Sequence, residues 1–185
     1  MNYANIKYND IANGEGIRVS LFVSGCTHHC KNCFNKVAWD FNYGNKFTVD
    51  IENKILKAME PEHINGLTLL GGEPMEPANQ KGLLNFVKKV KQTYPNKTIW
   101  CYSGYLFDEE LLKPSRAHCS WTRELISYFD IMVDGKFVEE LKDITLRFKG
   151  SSNQRVIDVQ KSLKENKVVL SPYNDKKSNE FHQII

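Results

Sequence analysis

The chain has 185 residues, 41% hydrophobic and 25% charged, with 25 basic against 22 acidic side chains and a formal net charge of +3. This size and balance suit one globular domain with a sizeable core and exclude a disordered chain. The charge is too mild to point to nucleic acid or an anionic membrane, and no apolar stretch approaches the ~20 residues that span a bilayer.

The amino terminus has no apolar core of the secretory kind, so a cytoplasmic location is expected, with no nucleic acid and no membrane as partner. Short apolar runs alternate with longer amphipathic stretches, the pattern of strand–helix units around a mostly parallel sheet. Residues 17–23 (Ile-Arg-Val-Ser-Leu-Phe-Val) read as a first buried strand, delivering the segment Cys26-Thr-His-His-Cys30-Lys-Asn-Cys33 at its carboxyl end. Gly25 relieves crowding where the backbone enters that segment. Ile51, Ile55 and Met59 at four-residue spacing predict a helix over 50–59, stopped before Pro61. Residues 67–70 form a second strand, ending in Gly71-Gly72-Glu73-Pro74. The following helix, over about 78–94, turns Leu83, Phe86, Val87 and Val90 inward and Lys88, Lys89 and Lys91 to solvent.

Residues 98–103 are a third strand, followed by Gly104. Residues 107–112 start a short helix before Pro114, and 115–128 are helical in their second half. A fourth strand at 131–133 ends in Asp134-Gly135. Residues 144–148 and 155–159 read as later strands flanking Gly150-Ser-Ser-Asn-Gln154, and a polar tail begins at about Asn174. Neither repeat nor linker divides the chain, so a single domain over 1–185 is expected. Four successive strands end in loops rich in glycine, cysteine or acid. In parallel α/β sheets ligands bind at the carboxyl ends of the strands, so these loops would converge on one site. Antiparallel strands would break that inference.

Five cysteines are present, Cys26, Cys30, Cys33, Cys101 and Cys119. An odd number with three crowded together fits a disulfide framework poorly and suits metal binding or redox chemistry. Three thiolates on one loop can hold three corners of a cubane [4Fe-4S] cluster, leaving one iron open to a small molecule. Zinc is the rival: a structural site takes four protein ligands. His28 or His29 would have to supply the fourth from between Cys26 and Cys30, where closure is strained. Unligated thiols are the third reading. As lone residues His28 and His29 read as exposed loop positions, and Cys101 and Cys119 as buried small hydrophobes. Alone, Gly71-Gly72-Glu73-Pro74 would be a strand-terminating turn.

Together, the cysteine triplet after one strand and Gly71-Gly72-Glu73-Pro74 after the next resemble the radical S-adenosylmethionine (SAM) enzymes. The resemblance implies a single-domain α/β fold, an incomplete (partial) TIM-like β/α barrel of the radical SAM type. The chain is too short for eight units, which typically take ~250 residues. It also implies a cluster loop at 24–39 in which Cys26, Cys30 and Cys33 bind the metal, and SAM chelated to the open iron. Gly71, Gly72 and Glu73 would hold the methionine end of SAM, the acid accepting from its ammonium group. Asn32, Cys33 and Phe34 would lie near the adenine. Many members have an aromatic residue immediately before the third cysteine, where this chain has Asn32. Ser103, Asp134 and Asn153 are candidates for ribose or carboxylate contacts, each with a structural role as the alternative.

The segment Asn13-Gly-Glu-Gly-Ile-Arg18 is similar to one in glycyl-radical activating enzymes. Asp134-Gly-Lys-Phe137 and Gly150-Ser-Ser-Asn-Gln-Arg-Val156 resemble the activases of anaerobic (class III) ribonucleotide reductases in particular. The resemblance implies that reduced flavodoxin or a similar one-electron donor reduces the cluster and that the electron breaks the sulfonium bond of SAM to C5′. The resulting 5′-deoxyadenosyl radical takes hydrogen from a glycine α-carbon in the large subunit of the reductase. No catalytic residue beyond the cluster and SAM ligands is required. Phe34, Trp39, Phe41 and Tyr43 are candidates for a docking surface, with core packing the alternative for Trp39. Two other readings stay open. One is a different radical SAM enzyme, a pyruvate formate-lyase-type activase or one acting on a small molecule; the other is a non-catalytic zinc-binding module.

Overall fold

A computed structural model of the chain describes residues 1–175. Seven strands build one sheet: β1 (Asn2–Asp10), β2 (Ile17–Val23), β3 (Asn45–Lys46), β4 (Ile64–Gly71), β5 (Thr98–Tyr102), β6 (Ile131–Asp134) and β7 (Arg155–Asp158). Their spatial order is β3-β1-β2-β4-β5-β6-β7. The four central strands β2, β4, β5 and β6 run parallel. β1 is antiparallel to β2 and β3, and β7 is antiparallel to β6. Four helices follow the strands in order: α1 (Val49–Ala58), α2 (Pro77–Thr93), α3 (Thr122–Ser127) and α4 (Val159–Glu165).

Alternate strand residues point to opposite faces, and here the two faces differ in chemistry. Val19, Leu21, Leu67, Leu69, Ile99 and Met132 join one apolar cluster with residues of the helices, among them Ile55, Phe86, Val87 and Ile126. The helices pack against one another in chain order on that face, α1 on α2, α2 on α3 and α3 on α4. The opposite face carries Arg18, Ser20, Thr68, Trp100 and Tyr102, none of which belongs to the cluster. Phe148 and Tyr173 cover part of it, with ring centroids 5.0 and 5.4 Å from Trp100.

Arg18 is buried there and gives all five of its N–H groups to neutral acceptors. It donates to Thr68 Oγ1 (2.7 Å), the Leu67 carbonyl (2.8 Å), the Thr98 carbonyl and hydroxyl (2.9 and 3.0 Å) and the Glu15 carbonyl (3.2 Å). Burial pulls its pKa down to about 10. One side chain thus ties β2, β4 and the start of β5 together.

Several expectations need correction. The sheet begins one strand before residues 17–23. β1, whose side chains are mostly half-buried or exposed, lacks the apolar alternation that marks a strand. Residues 144–148 form turns and bends with a single bridge position at Leu146 rather than a strand. The strand over 155–159 is β7, and Val159 opens α4, where the Asp158 carboxylate caps the helix by accepting from the Lys161 amide at 3.0 Å. Lys88, Lys89 and Lys91 are not simply solvated: they are half-buried and ion-paired with Glu124, Glu52 and Asp130. Of the tail expected from Asn174, the first residue is fastened, its side-chain oxygen accepting from the Val156 amide at 3.0 Å. Residues 176–185 lie outside the described residues. Among the described residues no helix is long and apolar enough to cross a membrane.

Candidate active site

Since β2, β4, β5 and β6 are parallel, their carboxyl ends emerge at one edge of the sheet. The loops that follow them line a single cavity of about 480 Å³. The β2 loop contributes Cys26, His28, Cys30, Asn32, Cys33 and Phe34; the β4 loop contributes Gly71, Gly72 and Glu73. Ser103 and Gly104 follow β5, and Gly135 follows β6. The long connection between β6 and β7 supplies much of the remaining wall, including Phe137, Ile144, Phe148 and Gln154.

The cysteine loop is shaped by its return to the chain around residue 38. Gly25 and Cys26 donate their amides to the carbonyls of Ala38 (2.8 Å) and Trp39 (3.1 Å). His29 and Asn32 sit at φ +49° and +56°, left-handed bends that short polar or imidazole side chains tolerate. Cys26 is buried, and Cys30 and Cys33 are half-buried. Burial pushes the Cys26 thiol up to about 12, with the amides of His28 and His29 pulling the other way. Burial also raises Cys30, opposed by Lys136. A metal bound here would replace the proton that burial favours.

The β4 loop lies directly on the backbone of the cysteine loop. The Gly72 amide donates to the Val23 carbonyl at 2.7 Å and the Glu73 amide to the Gly25 carbonyl at 2.8 Å. A Cβ on Gly72 would stand 2.6 Å from the Gly25 carbonyl oxygen, so only glycine permits this approach. Glu73 is 1% exposed. Its Oε1 accepts from the Met75 amide (2.8 Å), and its Oε2 accepts from the Gly104 amide (2.7 Å) and meets His28 Nε2 (3.0 Å). A carboxylate offers about four acceptor positions, so one remains.

Ser103 is on the wall, its hydroxyl accepting from the Tyr105 amide at 3.1 Å. Two expected residues are elsewhere. Asp134 is fully buried and accepts from Arg155 and from the Phe107 amide (2.7 Å), while Gly135 beside it lines the cavity. Asn153 is exposed and donates to the Lys136 carbonyl at 2.8 Å; the next residue, Gln154, reaches the wall and braces Gly150 and Gly135. His28 is buried rather than exposed, while His29 is exposed and stacks on Trp39 at 4.5 Å. Trp39 is half-buried and also lines the cavity, whereas Phe34 (87%), Phe41 and Tyr43 are exposed.

Among the described residues no three His, Cys, Asp or Glu side chains close on one point as ligands of a single ion would. The three thiols all line the cavity, and thiolates are the donors that hold iron–sulfur clusters. Donor type, number and adjoining space therefore fit a cubane cluster.

The family model described as a 4Fe-4S single cluster domain matches residues 12–157. An anaerobic ribonucleoside-triphosphate reductase-activating protein of Haemophilus influenzae is 44% identical over 156 residues, covering 83% of this chain and 96% of that protein. Its namesake in Escherichia coli K12 is 39% identical over 158 residues (84% and 97%), and that of Enterobacteria phage T4 is 37% identical over 156 residues (84% and 93%). Three thiols on the wall of one cavity and identity over nearly the full length of these relatives lead to one assignment: this chain belongs to the 4Fe-4S single cluster domain family and, within it, to the anaerobic ribonucleoside-triphosphate reductase-activating proteins.

Proposed function

We propose that this chain is a radical SAM activase that cleaves SAM reductively at a [4Fe-4S] cluster held by Cys26, Cys30 and Cys33, generating a glycyl radical on the large subunit of an anaerobic ribonucleotide reductase. The observation that carries the reading is the meeting of the cysteine loop with Gly71, Gly72 and Glu73 around one cavity. Its volume of about 480 Å³ lies within the range of small-molecule sites. When bound, the cluster supplies the electron that splits SAM into methionine and a radical able to take hydrogen from a glycine α-carbon.

The protein residues bind, orient and exclude water. Gly71 and Gly72 let backbone carbonyls approach the methionine ammonium, and Glu73 offers its remaining acceptor position. Asn32 and Phe34, flanking Cys33, stand on the adenine side. Ser103 serves the ribose or carboxylate end. Asp134 and Asn153 act from behind the wall, the first by holding Arg155 and the second by holding the Lys136 carbonyl. The whole chain, 1–185, is one domain. Helices in chain order on one face of the parallel strands are the arrangement of a sector of a β/α barrel. The face carrying Arg18 and Tyr102 is then the barrel interior, and the missing units leave a lateral opening for a glycine-bearing loop. Phe34 (87% exposed) and Ile144 (85%), which line the cavity from the β2 loop and the β6–β7 connection, form the rim that loop meets. A reduced flavodoxin or similar donor supplies electrons, and the reaction takes place in the cytoplasm.

Anaerobic reconstitution tests the reading. About four irons and four sulfides per chain, methionine release from SAM under dithionite, and a glycyl-radical signal on an anaerobic reductase by electron paramagnetic resonance are expected. SAM cleavage without a radical on the reductase overturns the choice of substrate. One tightly held zinc and no cleavage overturns the whole reading.

A further inference from the structure

His28 lies between two cluster cysteines yet is only 9% exposed. Tyr105 packs on its ring at 4.3 Å, and the missing side chain of Gly104 makes room for it, since a Cβ there would stand 2.6 Å from the imidazole. His28 Nε2 is 3.0 Å from Glu73 Oε2, and His28 Nδ1 is 3.4 Å from Arg116 Nη2. A guanidinium only donates, so Nδ1 accepts and Nε2 carries the proton given to Glu73. The adjacent residue repeats the pattern: Thr27 donates its amide (2.8 Å) and hydroxyl (2.6 Å) to Glu76, which also accepts from the Tyr105 hydroxyl at 3.2 Å. Two carboxylates of the β4 loop are thereby fastened to the loop that carries the cluster ligands.

We propose that His28 is a positioning residue for SAM. Its Nε2–H fixes the Glu73 carboxylate so that the unfilled acceptor position faces the methionine ammonium, and it locks that carboxylate in register with the cysteine loop. This rests on the functional reading above. The amides of Met75 and Gly104 hold one oxygen each, and the imidazole is the side-chain donor that sets the carboxylate's direction across the gap between the loops. Loss of the donor weakens the grip on SAM more than it alters electron transfer, which depends on the three thiols. Groups that orient a metal's ligands from behind typically matter by about 10- to 100-fold, and a loss at the lower end of that range is expected for the carboxylate that holds SAM.

The test compares His28→Leu, which fills space without a donor, with His28→Gln, whose amide N–H reaches a similar distance. The full chain is reconstituted, iron and sulfide are counted, the SAM dissociation constant is measured by equilibrium dialysis, and KM and kcat for SAM cleavage are separated. Both variants are expected to hold wild-type iron. His28→Leu should weaken SAM binding and raise KM by about tenfold with kcat little changed, and His28→Gln should return most of the affinity. Wild-type KM in His28→Leu overturns the proposal, as does equal weakening in both variants or loss of iron from His28→Leu. If leucine prevents folding, the glutamine variant decides alone: near-normal KM supports the proposal and a tenfold rise overturns it. Wild-type protein with full iron and no SAM binding sinks the functional reading and this proposal with it, a result distinct from any variant-specific loss.

Discussion

Cys26, Cys30 and Cys33 share a cavity wall, whereas Cys101 lies in the apolar layer of β5 and Cys119 gives its thiol to Gln80 at 3.3 Å. Alanine at any of the first three should drop iron from about four per chain to below one, since a cubane loses a corner ligand. Cys101→Ala and Cys119→Ala should keep their iron, Cys101→Ala at a stability cost of about 1 kcal/mol. Iron assay and urea unfolding of the same samples separate the two effects. Gly72 offers a second contrast at this scale. Gly72→Ala forces a methyl to 2.6 and 2.9 Å from the backbone oxygens of Gly25 and Ala38, atoms that cannot swing aside. About 1–3 kcal/mol of stability should be lost, with iron falling too because Gly25 adjoins Cys26. Gly82→Ala in α2 meets only the flexible Met1 side chain at 3.3 Å, and should be neutral or stabilising by up to about 1 kcal/mol. The grouping of the three cysteines and of Gly71-Gly72 on loops, and the burial of Cys101, were legible because composition and spacing carry them, whereas Cys119, expected to be buried, is half-buried. His28 was not legible: its burial comes from Tyr105 and Gly104, about 75 positions away along the chain, and no local pattern encodes that.

At the scale of elements, the short helical turn Phe107–Leu111 is bound to the sheet by one charged cluster. Arg155 of β7 donates to Asp108 (2.7 Å) and to buried Asp134 at the end of β6. Burial alone would raise the Asp108 carboxyl, but the Arg155 hydrogen bond and a backbone amide outweigh it and hold the group below its ordinary 3.8. A carboxyl depressed in the folded state stabilises the fold above its ordinary pKa and loses that contribution as pH falls through the folded value. Asp108→Asn should therefore lower the unfolding free energy at pH 7 by less than about 1 kcal/mol, the pair being partly exposed. The gap from wild type should be narrower at about pH 3 than at pH 7. Urea titrations at the two pH values check it, and a gap that widens in acid would refute the assignment. The central strands and α1 and α2 were readable because burial imposes apolar runs and four-residue spacing. The connection from β6 to β7 was not. Its apolar residues, such as Ile144 and Phe148, line the cavity without forming a strand of their own, so their hydrophobicity mimics a strand without one.

For the molecule as a whole, the layer of helices and the cavity belong to opposite demands. Apolar burial on one face supplies stability, which frees the loops at the strand ends to carry strained and polar groups. Arg18, deep on the other face, holds β2, β4 and β5 together at their base, the pairing of β2 with β4 runs on to Val23 and Gly71, and the loops beyond are joined by contacts such as Thr27–Glu76 and His28–Glu73. A ligand seated among those loops bridges elements far apart in sequence, and whatever binds only the folded state stabilises it by mass action. SAM at a hundredfold excess over its dissociation constant contributes about 2.7 kcal/mol, which for a chain of this length raises Tm by about 5–10 °C. That shift should occur in the iron-loaded protein by scanning calorimetry under nitrogen, and be absent or much smaller in Cys33→Ala, which keeps the β4 loop but loses a proposed cluster ligand. An equal shift in both proteins would mean that SAM is held by the glycine loop without the metal, and the open iron would have no part in binding.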